Sequence, residues 1–533
     1  ETFLAGCSTR DLARITERHL GQKYDSKQIS RIVARASQDL EAWRLRRLEG
    51  RKYKFLYIDG ANFAVRINHR VSRQSFCAVL GVIPGIFAAS DAINAGAPTA
   101  EQEKILHEHH YNNPVERISL SPFNEYFVIE AMGKMNWTDQ ALQTVLEDWG
   151  GQIKYGGTTF FECYWPSWNA IVAKNGPIPS CLAGPTSLCH PWSAGCTTWL
   201  TEYVAGIKPT APGFSTADIT PHPGRLLTSI AADAPTPHGS IHASFDFKRG
   251  VADILIPHGV KARVGIPKLE RTIVTIHVNG QLAWSGDPRS VTGISGSTDS
   301  AEWIHFTGVE PGRYTFDIFY RGQTPAYVPQ PLVYSVKVAG QDDKTSGNWG
   351  GVYGKDGYVL LDYDGNGKPK EHLPSYVESV TCSFGRFFQW SANSRDPRAL
   401  APDPGNSVQR VASAYYSRPL SWKAGKENLY GTSSKSWGWG QATMFVDIHL
   451  KHAHNYRLAL YAVDFDRKGR REAVDIYKSP SLVLAAPVQM ISHFENGKYL
   501  IFDCHDSVRL RLNAVRGPYA VISGVFFDPP NTN

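Results

Sequence analysis

The sequence contains no Cys-x2-Cys pair and no apolar run approaching 18 residues, and nothing at its start reads as a basic stretch followed by an apolar core. The first absence argues against a zinc framework and the second excludes a membrane-spanning helix, so no membrane partner is expected. With no leader visible and Glu1 rather than Met in first place, the chain is expected to be a fragment whose compartment stays open. Its eight cysteines include a loose set at Cys181, Cys189 and Cys196, in which Cys181 can bridge to Cys189 or Cys196 in an exported protein. At 533 residues the chain exceeds one ordinary core, so several domains are expected. The aromatic content, with 14 Trp and 24 Tyr, suits packed β-sandwiches or sugar-stacking surfaces.

The net charge of +7 is unevenly placed. Residues 1–80 carry 16 Lys and Arg against 8 Asp and Glu, which leaves 40 against 41 for the rest. A basic surplus confined to one end is a footprint for phosphate backbones, or a solvated basic helix surface. In that segment Leu12, Ile15 and Leu20 follow the N-capping Ser8 at helical spacing and stop at Gly21. A second helix, capped by Asp25 or Ser26, carries Ile29, Ile32 and Val33 on one side and Lys27, Arg31 and Arg35 for DNA contact. This is the outline of a helix-turn-helix, shared with other small helical hairpins. After Arg51 the period becomes that of strands, YKFLYIDG, NFAVRI and VSRQSFCAVLGV, with a turn at 68–70 and the first strand running into Asp59.

The runs GCSTRDLARI, SRIV..A...LEAWR.R.LE and YKFLYIDGANFAVRINHRVSRQSFCAVLGV resemble the middle of mutator-type transposases. The resemblance implies a ribonuclease-H-like catalytic domain in which Asp59 is the first of three metal-holding acids for phosphoryl transfer. Mg would be implied only for a complete acid set. The pattern stops near Val82, so transposition is not expected and DNA binding through residues 1–80 is what remains.

From about residue 84 the texture is helical, with amphipathic stretches at 84–110, 121–136, 138–150 and 193–206, the arrangement of late hairpins in an α/α barrel. From Lys208 onward Pro and Gly turns separate short β-rich runs, which read as two or more β-sandwiches joined through 322–346. Glu162 lies among Phe160, Phe161, Trp165 and Trp168, where apolar walls suit a glycosidase carboxylate and a structural ion pair is the plainer alternative. Further on stand His190 and Trp192 before a helix, and the Pro-rich turn ADAPTPHGSIHASF feeding a strand.

In this order the segments Gly156/Gly157 to Glu162, His190 to Gly195, Gly206 to Phe214 and Pro235 to Gly239 resemble the end of bacterial α-L-rhamnosidases and related six-hairpin glycosidases. The resemblance spans about 85–268 and implies a bacterial source. It also implies a rhamnose-containing glycan as partner, Glu162 as the general base of an inverting hydrolysis, and His190, Trp192 and Trp165 at the sugar, with no cofactor. The general acid of that family comes from upstream helices that this chain lacks, and Glu125, Glu130 and Asp148 sit in no matching motif, so little or no hydrolysis is expected. Keeping only the last helices of a closed ring also leaves apolar faces uncovered, so exposed patches are expected near 84–150. The stretch 340–530 resembles an accessory carbohydrate-binding sandwich in which Trp349, Tyr353, Trp390, Tyr415 or Tyr416 can stack on sugars or pack a core. There Asp362, Asp364, Asn366 and Gly367 match the first half of a calcium loop, but Leu373 stands where the bidentate Glu belongs, so no calcium is expected and a hairpin turn explains the same residues.

The expected fold class is therefore multidomain α+β. It comprises a helix-turn-helix at 1–50, partial ribonuclease-H-like strands at 51–83, a partial α/α barrel at 84–207, a β-sandwich at 208–335 and an accessory β-sandwich at 336–533.

Overall fold

A computed structural model describes residues 55–67, 70–82, 86–179, 181, 186–402, 409–417, 443–479 and 483–530. The chain divides into two compact units, Glu1–Pro84 and Gly85–Asn533. The first holds an antiparallel hairpin of Phe55–Ile67 on Arg70–Val82, with Asp59 opposite Ala78. The strand thus runs through Asp59 instead of ending there, its pairing continuing across Gly60, Ala61 and Asn62 to Ile67. The expected helix-turn-helix, with Lys27, Arg31 and Arg35, lies outside the described residues.

The second unit is mostly β-sandwich with a layer of short helices. The helices are α1 (Ile86–Asn94), α2 (Ala100–Leu106), α3 (Pro114–Arg117), α4 (Pro122–Lys134), α5 (Thr138–Glu147), α6 (Trp149–Tyr155), α7 (Trp168–Ile171) and α8 (Gly195–Trp199). The single helical stretch expected over 84–110 is broken between α1 and α2, where Gly96 takes φ 66° and Pro98 follows. Thr99 then restarts the helix with a capping box: its Oγ1 accepts from the Gln102 N–H, and the Gln102 side chain accepts from the Thr99 N–H at 2.8 Å. Helix α4 is the centre of the layer, packed against α1, α5 and α8. Its residues Val128, Ile129, Ala131 and Met132 are wholly buried. The outer side of the layer is open, with Phe87, Ile105, Leu146 and Ile153 exposed, Ile153 by 70%. No helix among the described residues is long and apolar enough to cross a membrane.

The first sandwich pairs a six-stranded sheet with a five-stranded one. Alternation along Val251–Ile256 and Lys261–Pro267 sends Ala252, Ile254 and Ile256 of the first sheet, and Ala262, Val264 and Ile266 of the second, into one core. The chain enters this sandwich at Gly206, which has φ 73°, and a Cβ there would lie 1.9 Å from the Thr220 carbonyl oxygen. Only glycine fits that crossing. The Pro-rich turn is a two-residue hairpin loop, Pro237-His238, between strands Ser229–Thr236 and Gly239–Asp246.

The last sandwich is built from six-, five- and three-stranded sheets around Val446, Ile448, Leu458, Leu460, Leu510 and Leu512. Trp349, Tyr353 and Tyr415 are core residues here, at most 8% exposed, whereas Trp390 and Tyr416 are half-buried. The Asp362 side chain accepts from the Gly367 N–H at 2.8 Å, and Asp364 faces Lys370 at 3.4 Å, both serving the turn between Gly357–Leu360 and Lys370–His372.

Although far apart in sequence, the helical layer and the last sandwich share a hydrophobic cluster. Val115, Ile118, Phe161, Trp165 and Trp168 meet Ala473, Tyr477, Leu484 and Val488 there, and Lys478 pairs with Glu116. The connection after the first sandwich is strapped across the helices through Gln330. Its backbone exchanges hydrogen bonds with the Gln143 side chain at 3.0 and 3.2 Å, and its Oε1 accepts from Arg117 at 2.8 Å.

Candidate functional site

Glu162 sits on the segment that follows α6. Gly156 ends that helix at φ 114°, where a Cβ would lie 2.0 Å from the Asn175 Oδ1. The returning chain is tied down residue by residue. The Phe161 N–H donates to Gln152 Oε1 at 2.9 Å, and Glu162 and Ser187 exchange bonds, the Glu162 N–H to the Ser187 carbonyl at 2.8 Å and the Ser187 N–H to Glu162 Oε2 at 3.1 Å. On the same paired segment the His190 N–H donates to the Phe160 carbonyl at 2.8 Å. A half-buried carboxylate is thus held by the Ser187 backbone N–H of the facing segment, two residues from the contact that fixes His190.

His190 leads into a short 3-10 turn, Pro191–Ala194, pinned by the Trp149 indole N–H on the Ser193 carbonyl at 2.9 Å. Gly195 lets the turn approach α4, since a Cβ there would sit 2.6 Å from the Tyr126 ring. Trp192 is left 58% exposed. Its ring lies 4.4 Å from His190 and 5.4 Å from Phe123, which is itself 5.5 Å from Phe127. The result is a surface of aromatic rings beside the Glu162 segment. Phe123 was not singled out in the sequence, although the aromatic spacing of SPFNEYF, at 123, 126 and 127 on one helix, carries the signal.

Trp165 is not part of this surface. It is 2% exposed and lies 6.3 Å from Tyr477 in the hydrophobic cluster shared with the last sandwich, so its ring offers no face to a sugar. The disulfide also differs from expectation: Cys163 pairs with Cys181, across a Cα–Cα distance of 5.8 Å, while Cys189 is an exposed thiol and Cys196 a buried one. Burial pushes the Cys196 thiol up to about 12.

The neighbouring acids are placed differently from Glu162. Glu125 and Asp148 are wholly buried. Glu125 accepts from the Ser119 N–H at 2.7 Å, and Asp148 from the Gln152 amide at 3.2 Å. Burial raises both carboxyls, Asp148 to about 8, and the Asp148 charge raises Glu125 further. Glu130 is half-buried and paired with Lys134 at 3.3 Å. No cluster of three or more metal-ligating side chains occurs among the described residues.

Residues 1–85 match the family model "Transposase, Mutator family", and residues 206–280 match "Bacterial alpha-L-rhamnosidase C-terminal domain". Among curated proteins the chain is similar to an alpha-L-rhamnosidase of Formosa agariphila, 29% identical over 121 residues, which is 22% of this chain and 12% of that protein. It is also similar to an alpha-L-rhamnosidase of an Alteromonas species, 29% identical over 128 residues, 24% of this chain and 13% of that protein. The match thus spans about an eighth of these relatives. Among solved structures, the alpha-L-rhamnosidase from Dictyoglumus thermophilum aligns with 44% of this chain and 25% of its own at 15% identity and a TM-score of 0.34. That of Streptomyces avermitilis complexed with L-rhamnose aligns with 57% and 25% at 17% identity and a TM-score of 0.32. The chain carries a Mutator-family transposase segment at 1–85 and a bacterial α-L-rhamnosidase C-terminal domain at 206–280.

Proposed function

We propose that residues 86–530 are the C-terminal part of an α-L-rhamnosidase-like glycosidase, in which the helical layer is the remnant of an α/α barrel, and that this part binds a rhamnose-containing glycan without hydrolysing it. The observation that carries the reading is the surface of exposed Trp192 and Phe123 with half-buried His190, beside the backbone-held Glu162. Aromatic faces take the C–H side of a sugar ring, and a carboxylate at their edge accepts hydroxyl hydrogen bonds. Inverting hydrolysis needs a second, protonated carboxyl about 6.5–9.5 Å from the base. Burial favours the protonated form of Glu125 and Asp148 but also seals them from solvent, and Glu130 is held by Lys134. Glu162 therefore has no partner to protonate a leaving oxygen among these three. The exposed Phe87, Ile105, Leu146 and Ile153 agree with a layer whose neighbours in a closed ring are missing. In a titration of methyl α-L-rhamnopyranoside followed by saturation-transfer NMR, Trp192→Ala is expected to weaken binding roughly tenfold. Unchanged affinity in that variant would remove the basis of the reading.

The match over 1–85 and the basic surplus of 1–80 favour a second activity, DNA binding by the N-terminal segment. Phosphate contacts release counterions, so binding of a duplex should weaken steeply with salt. In the full chain, replacing Lys27, Arg31 and Arg35 together by Gln should lower the slope of log K against log salt by about 0.9 for each phosphate that these side chains neutralise. An unaltered slope would place the DNA-binding surface elsewhere.

A further inference from the structure

A cleft of about 520 Å³ opens between the turn joining α4 to α5 and the first sandwich. It lies at the opposite end of α4 from the Trp192 surface. Phe123, at the start of α4, packs on Trp192, whereas the cleft begins at Asn136, beyond the other end of that helix, about 20 Å away along the axis.

The walls are fixed before any ligand arrives. Asp139, 9% exposed, accepts from Arg225 twice, from the side-chain Nε at 2.6 Å and from the backbone N–H at 2.7 Å. Gly224 allows that approach with φ 56°, since a Cβ would meet Asp139 Oδ1 at 2.4 Å. Two half-buried indoles line the cleft from opposite sides. Trp137, on the helical side, is backed by His107 at 4.5 Å and Tyr111 at 4.9 Å. Trp303, on the sandwich side, donates its N–H to the Pro221 carbonyl at 3.1 Å and rests on His222 at 4.9 Å. Both rings are held in place with part of their surface left to the cleft.

The charges decide what fits between them. Two cations of the lining are paired with carboxylates, Arg225 with Asp139 and Lys268 with Asp299 at 2.6 Å, and Arg271 is stacked over the Tyr320 ring at 3.6 Å. His222 is uncharged at neutral pH, because burial pushes it down to about 4. The exposed carboxylates of Glu270 and Glu302 also line the cleft and make no ion pair among the described residues. Two unpaired, exposed carboxylates beside mostly paired cations disfavour an anion. Rigid aromatic faces with unpaired carboxylates at the rim suit a neutral polyol, whose C–H faces cover the indoles and whose hydroxyls donate to Glu270 and Glu302.

We propose that this cleft is a second saccharide-binding site, which holds a neutral oligosaccharide between Trp137 and Trp303 independently of the Glu162 surface. The volume lies within the roughly 300–1,000 Å³ usual for small-molecule sites. The test is a saturation-transfer NMR titration of the full chain with cellotetraose, mannotetraose and xylotetraose, and with tetragalacturonate and tetralysine as charged probes. At least one neutral probe is expected to bind saturably, and roughly tenfold more weakly in both Trp303→Ala and Glu302→Gln. Glu302 is exposed, so the second variant keeps the test sound if the first disturbs packing. Binding of that probe should persist in Trp192→Ala. The proposal is overturned if no neutral probe binds, if only a charged probe does, or if Trp192→Ala abolishes binding that Trp303→Ala leaves intact.

Discussion

Asp475→Ala is expected to lower the unfolding free energy by about 3–5 kcal/mol, the usual cost of removing one member of a buried ion pair. Asp475 and Arg511 face each other at 2.5 Å on adjacent strands of the last sandwich, both with no solvent exposure. The attraction is offset by the cost of taking both charges out of water, so the intact pair contributes little. The variant, however, leaves an uncompensated guanidinium in the core. It also removes the acceptor of the Tyr477 hydroxyl, which donates to Asp475 at 2.9 Å. Tyr477 is the residue on which Trp165 rests, so the damage should reach the docking of the helical layer, three residues from Glu162. Urea unfolding followed by tryptophan fluorescence measures the loss. Replacing both partners by apolar residues, Asp475→Leu with Arg511→Met, should recover most of it, and failure to recover would mean that the charges themselves are needed.

Asp148→Asn should stabilise the protein at pH 8 and leave it unchanged near pH 4. The folded carboxyl titrates at about 8 because it is buried, against 3.8 for the exposed group. A carboxyl whose folded pKa is raised binds its proton more tightly in the native state, so its contribution is fully present below pH 3.8 and is lost as pH rises toward 8. The destabilisation that Asn removes at pH 8 is at most about 6 kcal/mol, shared in part with the neighbouring Glu125. Asn keeps the shape and the acceptor used by Gln152 but cannot ionise. The difference in melting temperature between variant and parent should therefore open between pH 4 and pH 8 and then level off. A constant difference across that window would show that Asp148 is not the titrating group.

Local chemistry was legible where a backbone conformation or a short-range period demanded a residue type. Gly206 and Gly156 stand where a Cβ would collide, Pro237-His238 forms the hairpin turn, and alternation along the strands built both sandwich cores. What was not legible depended on partners distant in sequence. Trp165 sits amid the aromatics of the Glu162 segment, yet its neighbour is Tyr477, more than 300 residues on. Cysteine spacing favoured partners near Cys181 on its C-terminal side, while the chain path after Glu162 brought Cys163 to it instead. The second cleft is assembled from residues between His107 and Thr324, and no single stretch of them forms a motif. Of the candidate surface, Glu162, His190 and Trp192 were named from the order of the motifs, whereas Phe123, packed against Trp192, stands in a helix that reads as ordinary core packing.

We propose a helical layer that retains a sugar-facing surface but not the two-carboxylate chemistry of hydrolysis. The most direct test is release of nitrophenol from p-nitrophenyl α-L-rhamnopyranoside by the full chain beside Glu162→Gln. No turnover above background is expected in either protein. Turnover that is present in the parent chain and absent in Glu162→Gln would contradict the claim.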